Sequence, residues 1–251
     1  MAQLFHLIFY QPILNLLVFF YNIIPGNDIG VAIVVLTALI RLLSYPLNQQ
    51  SIKSQKALRD LQPKIDELKR KYADNKQEQG RAMMELYKTE KVNPFSSCLP
   101  LLIQFPFLIA VYYVFRDGLA GNKALDLVYS FLAKPESLNP ITLGFFDLSK
   151  PSIILAVIAG VAQFWQVKMM SVQRPPQKLA GAKDEDMMAI MNKQMIYFMP
   201  ILTVFFGFTF PAGLMLYWLV TTLLTGLQQL YIFKNPPINE SATNNTNTSN
   251  H

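Results

Sequence analysis

Apolar residues run along this chain in long blocks, and polar residues collect between them. Five blocks, 29–47, 99–115, 151–170, 195–210 and 212–233, have about the length that crosses a bilayer as a helix. The last two are divided at Phe210-Pro211-Ala212-Gly213. A proline without an N–H next to a flexible glycine predicts a very tight turn there. The chain opens with a further apolar stretch over 1–28, containing LFHLIFYQPILNLLVFFYNIIP and interrupted by Pro12. It reads as an amphipathic helix lying in the interface or as an extra span, and the interface is preferred. It contains no Lys or Arg, so no cleaved signal is expected.

The pattern changes over 48–98. Leu58, Leu61, Ile65, Leu68 and Tyr72 recur at steps of three and four, the spacing of one helix face. Pro63 predicts a kink or a new helix start. Residues 78–91 predict a second helix with Met83, Met84 and Tyr87 on its apolar side, and ADNKQ predicts the turn between the two. The segment is therefore a charged helical hairpin, either a solvated connector or a docking surface for a partner or for lipid headgroups. The tail, 234–251, is low-complexity and polar, and it is expected to be disordered.

Composition turns these blocks into a membrane protein. Hydrophobic residues make up 52% of the 251 and charged residues only 15%, against about 25% charged in soluble domains. The net charge of +6 then reports orientation. Lys and Arg are absent from 1–28, number eleven in 48–98 and five in 168–194, and number four in the outward segment 116–150. Cytoplasmic segments carry the positive excess, so 48–98 and 171–194 face the cytoplasm. The N-terminal side lies outside and the C-terminus inside.

Within the spans a few polar residues stand out. Arg41 lies roughly 18 Å along the first span from Ile29, at 1.5 Å per residue, in the inner half of the membrane. Thr37, Arg41, Ser44 and Asn48 fall on one helix stripe. Gln163 on the third span has about the same depth, with Gln166 one turn below. The fifth span carries Trp218, Thr222, Thr225 and Gln229, flanked by Thr221 and Gln228, and the second contributes Gln104. Each Gln or Thr alone suits an interhelical hydrogen bond. Together with an arginine that has no carboxylate in any span, they predict a wet cavity. The outer half of the first span is almost purely apolar, so the cavity is a groove open to the cytoplasm rather than a pore.

Catalytic chemistry finds no support. The single cysteine, Cys98, and the remote His6 and His251 make no zinc site. No phosphate-binding, nucleophile-elbow or HExxH pattern occurs. No enzyme activity, metal or cofactor is expected.

Four stretches carry a resemblance. YQPILNLLVFFYNIIP, LTALIRLLSYPL, NPFSSCLPLLIQFPFLIAVYYVF after a charged hairpin, and FPAGLMLYWLVTTLLTGLQQLYI occur in the order found in the YidC/Oxa/Alb family of membrane protein insertases. The resemblance spans 7–233. It implies an all-α integral membrane protein: five transmembrane helices around a cytoplasm-open hydrophilic groove, an N-terminal interfacial helix and a cytoplasmic hairpin that receives substrate. It implies that Arg41 is the groove arginine, with polar partners Gln163 and Trp218. It implies an insertase for nascent membrane proteins that acts alone or with the Sec translocon; a monomer in the bacterial plasma membrane is expected, with lipids as partners, the ribosome as a candidate one and no nucleic-acid specificity. A departure from some relatives is expected from these residues: no large extracytoplasmic domain, no lipoprotein signal and no long basic tail. The alternative is an ion channel or transporter, which would need polar residues through the outer half or broken helices in internal repeats.

Overall fold

The computed structural model describes residues 2–93, 99–119, 122–170 and 187–234. Cys98, residues 171–186 of the third connecting loop and the tail from 235 lie outside the described residues. Helix dominates. A short α1 (Ala2–Phe5) passes through a π-helical turn (His6–Tyr10) into α2 (Gln11–Ile23). Then come α3 (Ile29–Leu43), α4 (Tyr45–Lys71), α5 (Lys76–Thr89) and α6 (Leu99–Leu119). The remainder is α7 (Ile153–Met170), α8 (Met187–Phe206) and α9 (Ala212–Lys234). A 3-10 turn (Asn122–Leu127) and a tiny antiparallel hairpin, β1 (Ile141–Thr142) with β2 (Phe146–Asp147), occupy the α6–α7 connection.

Among the described residues, two stretches are long and apolar enough to cross a membrane, Gln3–Ile23 and Leu102–Leu119. The bent pair α3–α4 makes a third if counted as one span. Ile153–Met169 and Ile196–Phe206 are shorter apolar helices. The molecule is thus a helical membrane protein with exposed apolar faces, such as Val34 and Val35 on α3 and Ile154 and Val161 on α7.

Several helix ends differ from the sequence reading: α6 runs on to Leu119, α8 begins at Met187 inside the expected 171–194 loop and stops at Phe206 rather than 210, and α3 stops early, which proline explains. The first apolar helix does not run to Leu47. It ends at Leu43, and α4 leaves it at an angle of 67°. Pro46 lacks the N–H that would bond the Leu42 carbonyl, and its ring crowds the preceding turn. Asn48 therefore lies beyond the bend, and the predicted stripe is split between two helices. Pro63, in contrast, starts no new helix, because α4 continues past it to Lys71. α4 and α5 pack together through Leu61, Ile65 and Tyr87, with Leu58, Met83 and Leu86 around them.

The main core joins α2, α3, α6 and the start of α9, with Leu14, Leu17, Ile29, Ile33, Leu36, Val114, Phe115 and Met215 buried. On its other side α9 packs against α7, which packs against α8. These contacts are close because small residues face them. A Cβ on Gly207 would overlap that of Ala156, and one on Gly226 would lie 2.5 Å from the Trp165 ring. Lipid and apolar side chains attract one another about equally, so close backbone approach and van der Waals packing hold such helices together.

Asp28 fastens the α6–α7 connection to this core. As the N-cap of α3 it accepts from the N–H groups of Gly30 (2.8 Å) and Val31 (3.1 Å). It also accepts from the Thr142 hydroxyl and, at 2.7 Å, from the Leu143 N–H. Burial pushes its carboxyl pKa up, but these four donors outweigh that and hold it below the ordinary 3.8. Asp28→Ala is expected to cost about 1–2 kcal/mol, the range for a lost N-cap, and to loosen residues 141–149 in hydrogen exchange. The carboxylate's contribution is full above the ordinary carboxylate pKa. It is lost as pH falls through the depressed folded value. The wild-type loop should therefore stay protected from neutral pH to about pH 4 and open only in stronger acid. Unchanged exchange in Asp28→Ala would show that the tether carries nothing.

Candidate functional site: polar groups around Arg41

The bend at Ser44 brings the ends of α3 and α4 against α9. Arg41, half-buried in the last turn of α3, donates from Nη2 to Gln228 Oε1 at 3.4 Å. Gln228 in turn donates from Nε2 to the Tyr45 carbonyl at 3.4 Å. The two contacts are long, so the guanidinium is held loosely by a neutral amide. Among the described residues no carboxylate pairs with Arg41. A desolvated guanidinium without a counter-charge is costly in hydrocarbon, and water or a visiting anion would relieve it.

The other predicted residues pair off around this point. Gln104 on α6 donates to the Tyr217 hydroxyl on α9. Gln163 on α7 accepts from the Thr203 hydroxyl on α8. Gln166 on α7 donates to Gln229 on α9 at 3.3 Å. These are interhelical hydrogen bonds that tie α6, α7, α8 and α9. Thr37 is buried and bonds the Ile33 carbonyl of its own helix at 2.6 Å, and Thr225 bonds the Thr221 carbonyl in the same way. Ser44 is buried at the bend and Thr222 is buried on α9, whereas Trp218 is half-buried. Among the described residues Arg41 makes no hydrogen bond to Gln163 or Trp218.

Three partners escaped the sequence reading. Gln228 ranked only as a flank of the α9 stripe, yet it is the residue that meets Arg41. α9 packs against both α3 and α7, so its two adjacent glutamines face different neighbours. Thr203 and Tyr217 were missed altogether. Thr203 was detectable as a lone hydroxyl in the apolar run MPILTVFF.

Past Arg41, at the start of the α4–α5 pair, polar groups continue. Asn48 and Ser51 are buried, and the Asn48 Nδ2 has no hydrogen-bond partner among the described residues. Arg59 donates to the Met169 carbonyl at the end of α7 (3.3 Å) and lies over the Phe233 ring at 5.3 Å. This contact fixes the base of α4 to α7 and α9 and satisfies a carbonyl at a helix C-terminus. In the opposite direction the surroundings turn apolar. Ile29, Ile33, Leu36, Val111 and Leu214 are buried in the main core.

The α6–α7 connection lies along α2. Asn15 donates to the Leu127 carbonyl (3.2 Å) and accepts from the Tyr129 N–H (2.7 Å). Asn22 donates to the Ala133 carbonyl (2.7 Å), and the Tyr21 hydroxyl accepts from the Asn139 N–H (3.1 Å). The exposed pair Lys134–Asp126 (2.7 Å) sits in the same segment.

Comparison with known proteins identifies relatives over most of the chain. Residues 19–239 match the family described as 60Kd inner membrane protein. The protein named membrane protein insertase YidC of Shewanella woodyi is 38% identical over 224 residues, covering 88% of this chain and 36% of that protein. Its namesake in Geobacter sulfurreducens is 37% identical over 224 residues, with the same coverage. That of Geotalea daltonii is 35% identical over 229 residues, 90% of this chain and 37% of its own length. The chain thus spans little more than a third of the curated relatives it matches. With four motifs in order and a family match over most of its length, this chain belongs to the 60Kd inner membrane protein family, the YidC/Oxa insertase family.

Proposed function

We propose that this chain inserts newly made proteins into the membrane through a polar groove at the inner ends of α3, α6, α7, α8 and α9. These five helices are read as the transmembrane bundle and the α4–α5 pair as its cytoplasmic hairpin. The observation that carries the reading is Arg41: a half-buried guanidinium whose one hydrogen-bond partner among the described residues is a neutral amide.

α2 is read as lying in the outer interface. Its length and composition suit a span. Its polar side chains, however, hold the backbone of a connecting loop that carries exposed charges. Irregular backbone with charges does not sit against lipid tails. With α2, the loop and the apolar core capping the outer side, the polar inner half opens toward the cytoplasm. Such a recess shortens the hydrocarbon that a hydrophilic segment must cross.

A substrate's short hydrophilic segment enters this recess from the cytoplasm, where Arg41 attracts its acidic groups. Its apolar segment then leaves sideways into lipid. Burial of apolar surface at roughly 25 cal/mol per Å² drives that step, and the membrane potential adds about 2.3 kcal/mol per charge per 100 mV. No catalysis or cofactor enters the scheme. The Sec translocon and the ribosome remain candidate companions, and the protein is read as a monomer of the bacterial plasma membrane.

The test is reconstitution. Purified protein in liposomes receives a single-span substrate with an acidic N-terminal segment, and protease protection reports insertion. Protection above empty liposomes is the expected result. No insertion, in liposomes that instead leak ions, would replace this reading with a channel.

A further inference from the structure

The turn that joins β1 to β2 has an unusual chemistry. The Phe145 N–H bonds the Thr142 carbonyl at 3.3 Å, and both central residues have positive φ, Leu143 at +52° and Gly144 at +81°. Residues 143–145 link the strands, and the two left-handed positions in succession are ones that favour asparagine and glycine. Leucine pays a steric penalty there that asparagine largely avoids. Its side chain is nevertheless 70% exposed, and Phe145 next to the turn is 77% exposed. The stretch from Pro140 to Phe146 carries no charge. In water this tip would be strained and apolar at once.

Its position suggests what covers it. Asp28 bonds both Thr142 and Leu143, and Thr142 packs on Gly30, so the turn stands level with the first turn of α3. That end of α3 is where an apolar helix enters the membrane, and its Val31 is also exposed. Charge meets the tip only on its backbone side, where Asp28 bonds Leu143, and after it, where Asp147 pairs with Lys150 at 2.9 Å; the Leu143 and Phe145 side chains stay exposed.

We propose that Leu143 and Phe145 are a lipid anchor: the turn dips into the outer-leaflet interface and thereby seats the start of α3. Exposed apolar and aromatic side chains at this depth bury their surface among headgroups and upper acyl chains. The proposal rests on the membrane placement argued above.

The test uses the full chain in liposomes with Cys98→Ser, so that single introduced cysteines can carry a nitroxide. Labels go on Leu143→Cys and Phe145→Cys. Lys134→Cys serves as the aqueous reference and Val34→Cys as the lipid reference. Power saturation compares collision with oxygen, which concentrates in lipid, and with a water-soluble nickel chelate. At 143 and 145, oxygen access is expected to exceed nickel access, as at 34 and opposite to 134. Adding Leu143→Asn to the label at 145 is expected to raise nickel access severalfold. This substitution suits the turn, so a misfolded hairpin would not be the cause. If 143 and 145 behave like 134 while 34 reports lipid, the anchor is wrong and the membrane placement stands. If 34 itself reports water, the placement fails and the anchor with it. If Leu143→Asn leaves nickel access at 145 unchanged, Leu143 holds nothing in the leaflet.

Discussion

Arg41→Ala is expected to lower the rate of substrate insertion by about 10- to 100-fold in the liposome assay. The magnitude follows from losing a hydrogen-bonded charge worth about 1.5–3 kcal/mol to an anionic segment in transit. Arg41→Lys keeps the charge but not the planar fork, and it is expected to stay within about threefold of wild type. The loss should be greatest for substrates with an acidic N-terminal segment and should shrink when those acids are replaced by amides. Gln228→Leu provides the contrast. It removes the neutral partner 3.4 Å from Arg41 and its bridge to the Tyr45 carbonyl, but it leaves the charge in place. It should slow insertion far less than Arg41→Ala. If Arg41→Ala inserts acidic and neutralised substrates as fast as wild type, the wetness of the recess matters and its charge does not.

The second large effect is structural. Gly207→Ala is expected to destabilise the protein by about 1–3 kcal/mol, the cost of overpacking a tight contact, read as a fall in thermal unfolding temperature in detergent. The added Cβ would overlap that of Ala156 on α7 and lie 3.2 Å from the Ala156 Cα and the Val204 carbonyl. Backbone atoms cannot swing aside as a long side chain can. Ala156→Gly removes the opposing methyl, so the double variant should recover most of the loss. A single variant as stable as wild type would mean that α7 and α8 do not pack this closely in the membrane. A double variant no better than the single would place the cost elsewhere than the Ala156 contact. The same contact bears on function, because α7 and α8 carry the Gln163–Thr203 pair. An α7 displaced by Gly207→Ala should also slow insertion, and Ala156→Gly should restore both properties together.

Much of the architecture was readable without coordinates, because the bilayer imposes simple rules. The apolar blocks and the i, i+3, i+4 spacing of Leu58, Leu61 and Ile65 depend on local sequence; the break expected at Phe210–Gly213 falls earlier, at 207–211, with Ala212 and Gly213 already in α9. The isolation of Arg41 from carboxylates is local too, since it needs only a list of the charges in the apolar blocks. The helix break at Ser44 was also encoded locally, in Pro46. The reading carried the apolar block through that proline, since hydropathy does not change there while backbone hydrogen bonding does.

Pairing was a different matter. Arg41 and Gln163 were set at the same depth by counting residues, but depth says nothing about which way each helix is rotated. Rotation is decided by the close contacts of α7 with α8 and α9, at Gly207 and Gly226, and by the packing of α3 against α9. Those contacts turn Gln228 toward Arg41, Gln229 toward Gln166, and Gln163 toward Thr203. Likewise, no pattern within α2 tells that Asn15 and Asn22 hold a loop more than a hundred residues away. Hydropathy, the charge-poor apolar blocks with their one arginine, and the four motifs in order were enough for a helical membrane protein and its family. Which polar groups meet came from packing, because a hydrogen bond between helices depends on rotation and approach that no single helix contains.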